Sequence, residues 1–288
     1  MTESFETYRA YLFAIAYRML GSAMDAEDLV QETYLRFQSA PTETILSLKA
    51  YLTTILTRLC MDQLHLARRQ RETYLGPWLP EPILASDALT LASPEERVDT
   101  EESVSLAFLV LLEELQPVER AAFLLREVFE YDYGEIATFL GKSEMACRQA
   151  FSRAKKHLAE RRPRFPASPE THRQMLSSFL RAVQAGDMGA LMNMLSEEVT
   201  LYADGGGKVK GAATRPVNGR RAVARFSIGA TRRFLPEGDH VEVAEVNGQP
   251  ALVIRGDDRA YLVLTVEVEA QRIRTVRIVA NPEKLTHV

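Results

Sequence analysis

Cysteine is nearly absent: Cys60 and Cys147 are the only two in 288 residues, and both fall at apolar positions of helical patterns. Two lone thiols of that kind argue against a disulfide frame or a cysteine metal site, and they suit a reducing compartment. No apolar run approaches the length of a membrane span, and the first residues lack the basic-then-apolar layout of a leader. The expectation is a soluble, cytoplasmic chain with no membrane partner, no metal and no cofactor. Excess positive charge is missing as well. The net charge is −4, so any nucleic-acid surface must be local rather than spread over the chain. The glycine run Gly205 to Gly207 lacks the lysine-serine or lysine-threonine ending of a phosphate loop and reads as a flexible surface turn. There is no internal repeat, and the length predicts two or three domains.

What is present centres on Leu115 to Arg162. Pro117 stands where a first-turn proline is tolerated, and Ala121, Leu124, Leu125 and Val128 recur at helical spacing. A short helix follows over Tyr133 to Leu140 and ends at Gly141. Ser143 caps the next helix, with Glu144 near its positive end. That helix turns Cys147, Ala150, Phe151, Ala154 and Leu158 inward. Its other face carries Arg148, Gln149, Ser152, Arg153, Lys155 and Lys156. Ala137 four before the turn glycine, and Cys147 six after it, let two helices cross closely, as a helix-turn-helix requires. The basic, hydrogen-bonding face suits a major groove and its phosphates. An amphipathic helix pair with a solvated charged face has the same pattern.

The N-terminal part reads as three helices. One runs from Phe5 to Leu20 and closes at Gly21; a second is capped by Asp25 and leaves Asp28, Gln31, Glu32 and Arg36 outside. A third begins at Leu48 and ends in a basic tail at His65, Arg68, Arg69 and Arg71. Between this bundle and the helix-turn-helix lies an acidic, proline-containing linker, residues 76–104. It includes Trp78-Leu79-Pro80-Glu81-Pro82, and Trp78 is the only tryptophan. Trp78 either tucks against the first bundle or docks on another domain of the chain.

Taken in order, DAEDLVQETYLRF, the Tyr51 to Arg71 helix, EIATFLG and SRAKKHL resemble the extracytoplasmic-function (ECF) sigma factors of bacteria, over residues 5 to about 165. The resemblance implies that residues 1–75 are region two and 105–165 region four. Region two would bind the clamp of the polymerase largest subunit through Asp28, Gln31 and Glu32. It would melt the minus-ten element, capturing a flipped base at the loop Ser39 to Ser47. Arg58, Asp62, Arg68, Arg69 and Arg71 would lie along that strand. Region four would read the minus-thirty-five element through Lys142, Ser143, Glu144, Arg148, Gln149, Ser152, Arg153 and Lys156, and meet the flap of the second subunit. Tyr51 and Arg58 depart from the tryptophan and asparagine of many members, which bears on minus-ten reading.

After Arg162 the chain changes character. Residues 170 to 195 show helical patterns, and from Val199 onward strands alternate, with Asn247-Gly248 as a tight hairpin. Helices followed by a curved antiparallel sheet resemble the SnoaL-like α+β cone, here 166–288. The fold class is therefore multidomain, two all-α modules followed by an α+β domain. Asp204-Gly205-Gly206-Gly207-Lys208 and Asn281-Pro282-Glu283-Lys284-Leu285, with the tryptophan motif, resemble the sigma-factor subgroup that carries this domain as a regulatory extension. The implied role is contact with the chain's own sigma modules; a small ligand in its pocket stays open. Asp204, Asp239 and His240 are the candidates for acid–base chemistry, but spacing locates no pair. A helix-turn-helix regulator that needs no core polymerase, and a DNA-tethered isomerase, are the alternatives to a promoter-specificity subunit.

Overall fold

The computed structural model describes residues 2–40, 45–71, 73–84, 105–160, 168–234, 240–256 and 259–288. They form two compact units. The first takes residues 1–72 and 86–162; the second takes 73–85 and 163–288. Among the described residues no helix is long and apolar enough to cross a membrane.

In the first unit α1 (Thr2–Leu20), α2 (Ala23–Gln38) and α3 (Leu48–Arg71) form a bundle. Leu12, Ile15, Ala16 and Met19 of α1 are fully buried, the stripe expected from their spacing. The cap of α2 is Ser22, not Asp25. Ser22 takes extended backbone angles and its Oγ accepts the Asp25 N–H at 3.1 Å, which leaves Asp25 inside the first turn. There its carboxylate still complements the helix dipole. The second group of helices is α4 (Leu106–Glu113), α5 (Pro117–Phe123, running on as a π-helical turn over Leu124–Val128), α6 (Tyr133–Leu140) and α7 (Glu144–Ala159). Asp132 and Glu135 make a reciprocal capping box at the start of α6, with bonds of 2.9 and 3.0 Å. Gly141, at φ +61°, ends that helix in the left-handed region.

The two groups share a core. Leu125, Tyr131, Ile136, Phe139 and Cys147 are buried together, with Tyr11 of α1 and Ala50 of α3 packed on them. Burial of Ile136 and Phe139 stabilises by about 1.5–3 kcal/mol each. The Tyr11 hydroxyl donates to the Tyr131 oxygen at 2.6 Å, and Thr53 Oγ1 stands 3.2 Å from the same oxygen. Arg120 of α5 is buried and donates to the Met19 carbonyl and to Glu113, each at 2.6 Å. Burial pushes its guanidinium down to about 9, so it remains charged at neutral pH.

The second unit opens with α8 (Pro169–Ala185) and α9 (Met188–Met194). Then come β1 (Leu195–Asp204), β2 (Val217–Asn218), α10 (Arg220–Phe234) and the strands β3 (His240–Val246), β4 (Gln249–Gly256), β5 (Arg259–Glu269) and β6 (Arg272–Val279). The strand order is β2-β1-β6-β5-β4-β3. This is the α+β fold expected, with two differences. The sheet is mixed rather than purely antiparallel, because β1 pairs parallel with β6 across a long connection that includes α10. Helix α10 itself falls in a stretch read as strands. Phe226, Ile228 and Gly229 lower its intrinsic propensity, and packing of Val223 and Ala224 into the core overrides that. Asn247 and Gly248, at φ +53° and +68°, make the tight β3–β4 turn that their sequence predicts.

Candidate functional site

The outer face of α7 is open. Lys142, Ser143, Glu144, Arg148, Gln149, Ser152, Arg153 and Lys156 are all exposed, while Cys147, Ala150, Ala154 and Leu158 fix the helix from below. Ser143 Oγ accepts the Ala146 N–H at 3.2 Å. Arg148 is steadied from two sides, by Glu144 at 2.9 Å and by the face of Tyr133, 4.4 Å from the ring centroid. Arg153 pairs with Glu119 at 2.6 Å and Lys155 with Glu127 at 3.2 Å, which ties the rear of the helix to α5 and its π-helical turn. Phe151, read as buried, is half-buried and stacks on Phe123 at 6.1 Å. Met145 stands exposed in the first turn of α7 and was missed in the sequence, where a lone methionine carries no signal.

On α2, Asp28 and Gln31 are exposed, and Glu32 is half-exposed and paired with Arg36 at 2.8 Å. Met24 and Leu35, about half exposed, lie on the same helical row at spacings of four, three and four. They extend the acidic patch into a mixed apolar and polar stripe that helical periodicity alone does not mark out.

The α3 residues divide. Asp62 is exposed. Arg58 is exposed but directs its Nε and Nη2 at the carbonyls of Phe139 and Thr138 in the last turn of α6, both at 3.4 Å. Arg71, expected along a DNA strand, is mostly covered and pairs with Glu113, which also holds Arg120. The side chains of Arg68 and Arg69, residues 41–44 of the Ser39 to Ser47 loop, and the acidic stretch 85–104 lie outside the described residues.

The second unit brings its three motifs to one place. Asp204, at the end of β1, is buried. Its Oδ1 accepts from the Tyr74 hydroxyl at 2.5 Å and from the Gly206 N–H at 3.1 Å. Its Oδ2 accepts from the Leu79 N–H at 2.8 Å and from Lys284 Nζ at 2.7 Å. Lys284, also buried, donates to the Leu79 carbonyl at 2.5 Å and lies 4.0 Å from the Trp78 ring centroid. Asn281 Nδ2 donates to the Tyr74 oxygen at 3.1 Å. Burial and the Asp204 carboxylate together raise the Tyr74 pKa. Further along, Ile83 and Asn247 exchange bonds of 2.9 and 3.0 Å, and Leu84 bridges Val246. Residues 73–84 thus form a strap seated in the α+β unit, with Leu79, Pro80, Glu81, Pro82 and Ile83 buried. Of the two placements open to Trp78, docking on another domain is the one described.

Gly205 to Gly207 is not a flexible surface turn. A β-carbon on Gly205 would come within 2.6 Å of Ala212 Cβ, and one on Gly206, at φ +58°, within 2.4 Å of Asn281 Nδ2. Lys208 pairs with Glu283 beside it. Among the described residues the candidates do not meet as an acid–base pair. The Asp204 carboxylate is occupied by Tyr74, Leu79, Lys284 and Gly206; His240 is exposed at the start of β3, and Asp239 lies outside the described residues.

Residues 4–72 match the family description "Sigma-70 region 2" and residues 105–158 match "Sigma-70, region 4". The chain is 35% identical to the ECF RNA polymerase sigma factor SigJ of Mycobacterium tuberculosis, covering 98% of this chain and 92% of that one. It is 32% identical to the probable ECF RNA polymerase sigma factor SigI of the same species, covering 99% and 94%. The crystal structure of M. tuberculosis SigJ superposes with a TM-score of 0.75 at 32% identity, over 100% of this chain and 99% of that one.

Proposed function

The chain belongs to the ECF RNA polymerase sigma factors, and from that premise we propose how its surfaces share the work. As a sigma factor it binds core RNA polymerase and promoter DNA, and it catalyses no reaction itself. The regulator without a core partner and the tethered isomerase are set aside on the same grounds. It acts where the core enzyme acts, in the cytoplasm.

We assign minus-thirty-five reading to α7, with Arg148 and Gln149 toward base edges and Lys142, Arg153 and Lys156 toward phosphates. The Met24–Asp28–Gln31–Leu35 row, with Glu32 beside it, is assigned to the polymerase clamp, and region four to the flap of the second subunit. Arg58 and Asp62, with the loop Ser39 to Ser47 and the Arg68, Arg69 and Arg71 tail, are assigned to the melted minus-ten strand. In that role Arg58 must leave the α6 carbonyls and Arg71 must leave Glu113, so the packing of the first unit is a closed form that opens on the promoter. The α+β domain steers this opening through the strap, which is continuous in sequence with α3.

The observation that carries the reading is the exposed, capped outer face of α7 with a pre-positioned arginine. Run-off transcription with core polymerase on a library of promoter variants tests it. Arg148→Ala should change which sequences are used. An unchanged promoter preference would remove α7 from the reading role.

A further inference from the structure

Besides the promoter-facing surfaces, the second unit contains a cavity between α8, α10 and the helix-facing side of the sheet. Phe179 and Val183 of α8, Ser227 and Thr231 of α10, and Leu252 and Leu264 of the sheet line it. Its volume is about 60 Å³. Among the described residues no charged side chain lines it, so an ionic ligand would find no counter-charge from them.

One polar atom is unaccounted for. Ser227 is only 5% exposed, and its Oγ has no hydrogen-bond partner among the described residues. A helical serine commonly returns its hydroxyl to the carbonyl four residues back; this one does not. The neighbouring Thr231 does, donating to the Ser227 carbonyl at 3.0 Å, which leaves Ser227 Oγ as the unmet group of the cavity wall. A buried water needs two to four polar partners, and walls that apart from Ser227 and Thr231 are aliphatic or aromatic hold one poorly.

We propose that this cavity is a binding site for a small neutral molecule with an apolar body and one hydroxyl or carbonyl oxygen, which meets Ser227 Oγ. The apolar body gains from burial against Phe179, Val183, Leu252 and Leu264, and the single oxygen fixes its orientation. A ligand of this class would report a hydrophobic metabolite or solvent to a transcription factor, with no part in promoter contact.

Phenol and benzene serve as matched probes, added to the full-length protein and followed by ligand-observed NMR and by thermal unfolding. Wild type should bind both saturably in the millimolar range and unfold at higher temperature in their presence. Ser227→Ala should weaken phenol about three- to tenfold and leave benzene unchanged, because only phenol loses a bond. Ala230→Leu, which fills the cavity wall, should remove both. No saturable binding to wild type overturns the proposal. So does an equal effect of Ser227→Ala on the two probes. Should Ala230→Leu fail to fold, the Ser227→Ala comparison decides alone.

Discussion

In the proposed reading Arg148 would enter the groove already oriented, since Glu144 and the Tyr133 face hold it. A side chain ordered beforehand loses less freedom on binding. Arg148→Ala should therefore cost about 1–3 kcal/mol on the preferred promoter and much less on variants at one base pair, read by titration across promoter variants. Lys156→Ala should weaken every sequence alike and reduce the salt slope by about one. Equal profiles for the two variants would refute the division of labour. On α8 of the α+β unit, His172 is buried, and desolvation lowers its pKa against weaker opposing effects from Val266 and Glu267. The unfolded chain then binds a proton that the folded one resists. Stability is full above the unfolded value of about 6.5 and is lost as pH falls below it. The melting temperature of the α+β unit should drop between neutral and mildly acid pH, and His172→Leu should flatten that dependence. What sequence reasoning grasped at this scale was the identity of the outward residues of α7, because capping and period fix a helix face. It missed the contacts that Arg58 and Arg71 make here, which depend on carbonyls and a carboxylate brought near only by folding.

Among elements, α2 offers the sharpest test of polymerase binding. Its exposed row alternates apolar ends with an acidic middle, the composition of a surface completed by a partner helix. Asp28→Lys with Glu32→Lys should abolish co-purification with core polymerase and leave the circular dichroism of the free chain unchanged. Met24→Ala with Leu35→Ala should raise the dissociation constant about tenfold or more, the loss of roughly 1.4 kcal/mol or more. A drop in helicity instead would mean that the row supports the fold. Elements with strong local signals were legible: α6 and α7 carry caps, a terminating glycine and a clear period. Helix α10 was not, because Phe226, Ile228 and Gly229 contradict its conformation locally and the core decides it. The parallel pairing of β1 with β6 was hidden for a related reason, since nothing within either strand names its neighbour.

At the scale of the whole molecule, a buried charge pair, Asp204 with Lys284, lies under the strap beside its other hydrogen bonds. Asp204→Ala leaves the lysine buried without its partner and should cost about 3–5 kcal/mol. Adding Lys284→Met should recover part of that loss, since the unpaired charge goes with it. Denaturation followed by fluorescence of Trp78, the sole tryptophan and a neighbour of Lys284, measures both. If the double variant is no better than the single, the pair is not what holds the strap. Ending the chain before Asn281 removes Lys284 and should change promoter activity differently from ending it near Pro166, which removes the whole bed of the strap. The latter should raise activity or loosen the solution shape in small-angle scattering; identical behaviour of both truncations would make the domain a passenger. The three motifs were visible in the sequence, but not the atoms that join them, because Tyr74, Asp204 and Lys284 come from three distant stretches. The strap has one more effect. The chain leaves the helical unit after residue 72, returns at 86 and leaves again after 162, so each unit is made of two separate stretches. A protease site placed between 163 and 167 would therefore nick the protein without dividing it. The two pieces should co-elute as a split protein, the N-terminal fragment plugged into the C-terminal one by its own residues 73–84, and part only when Asp204 is replaced.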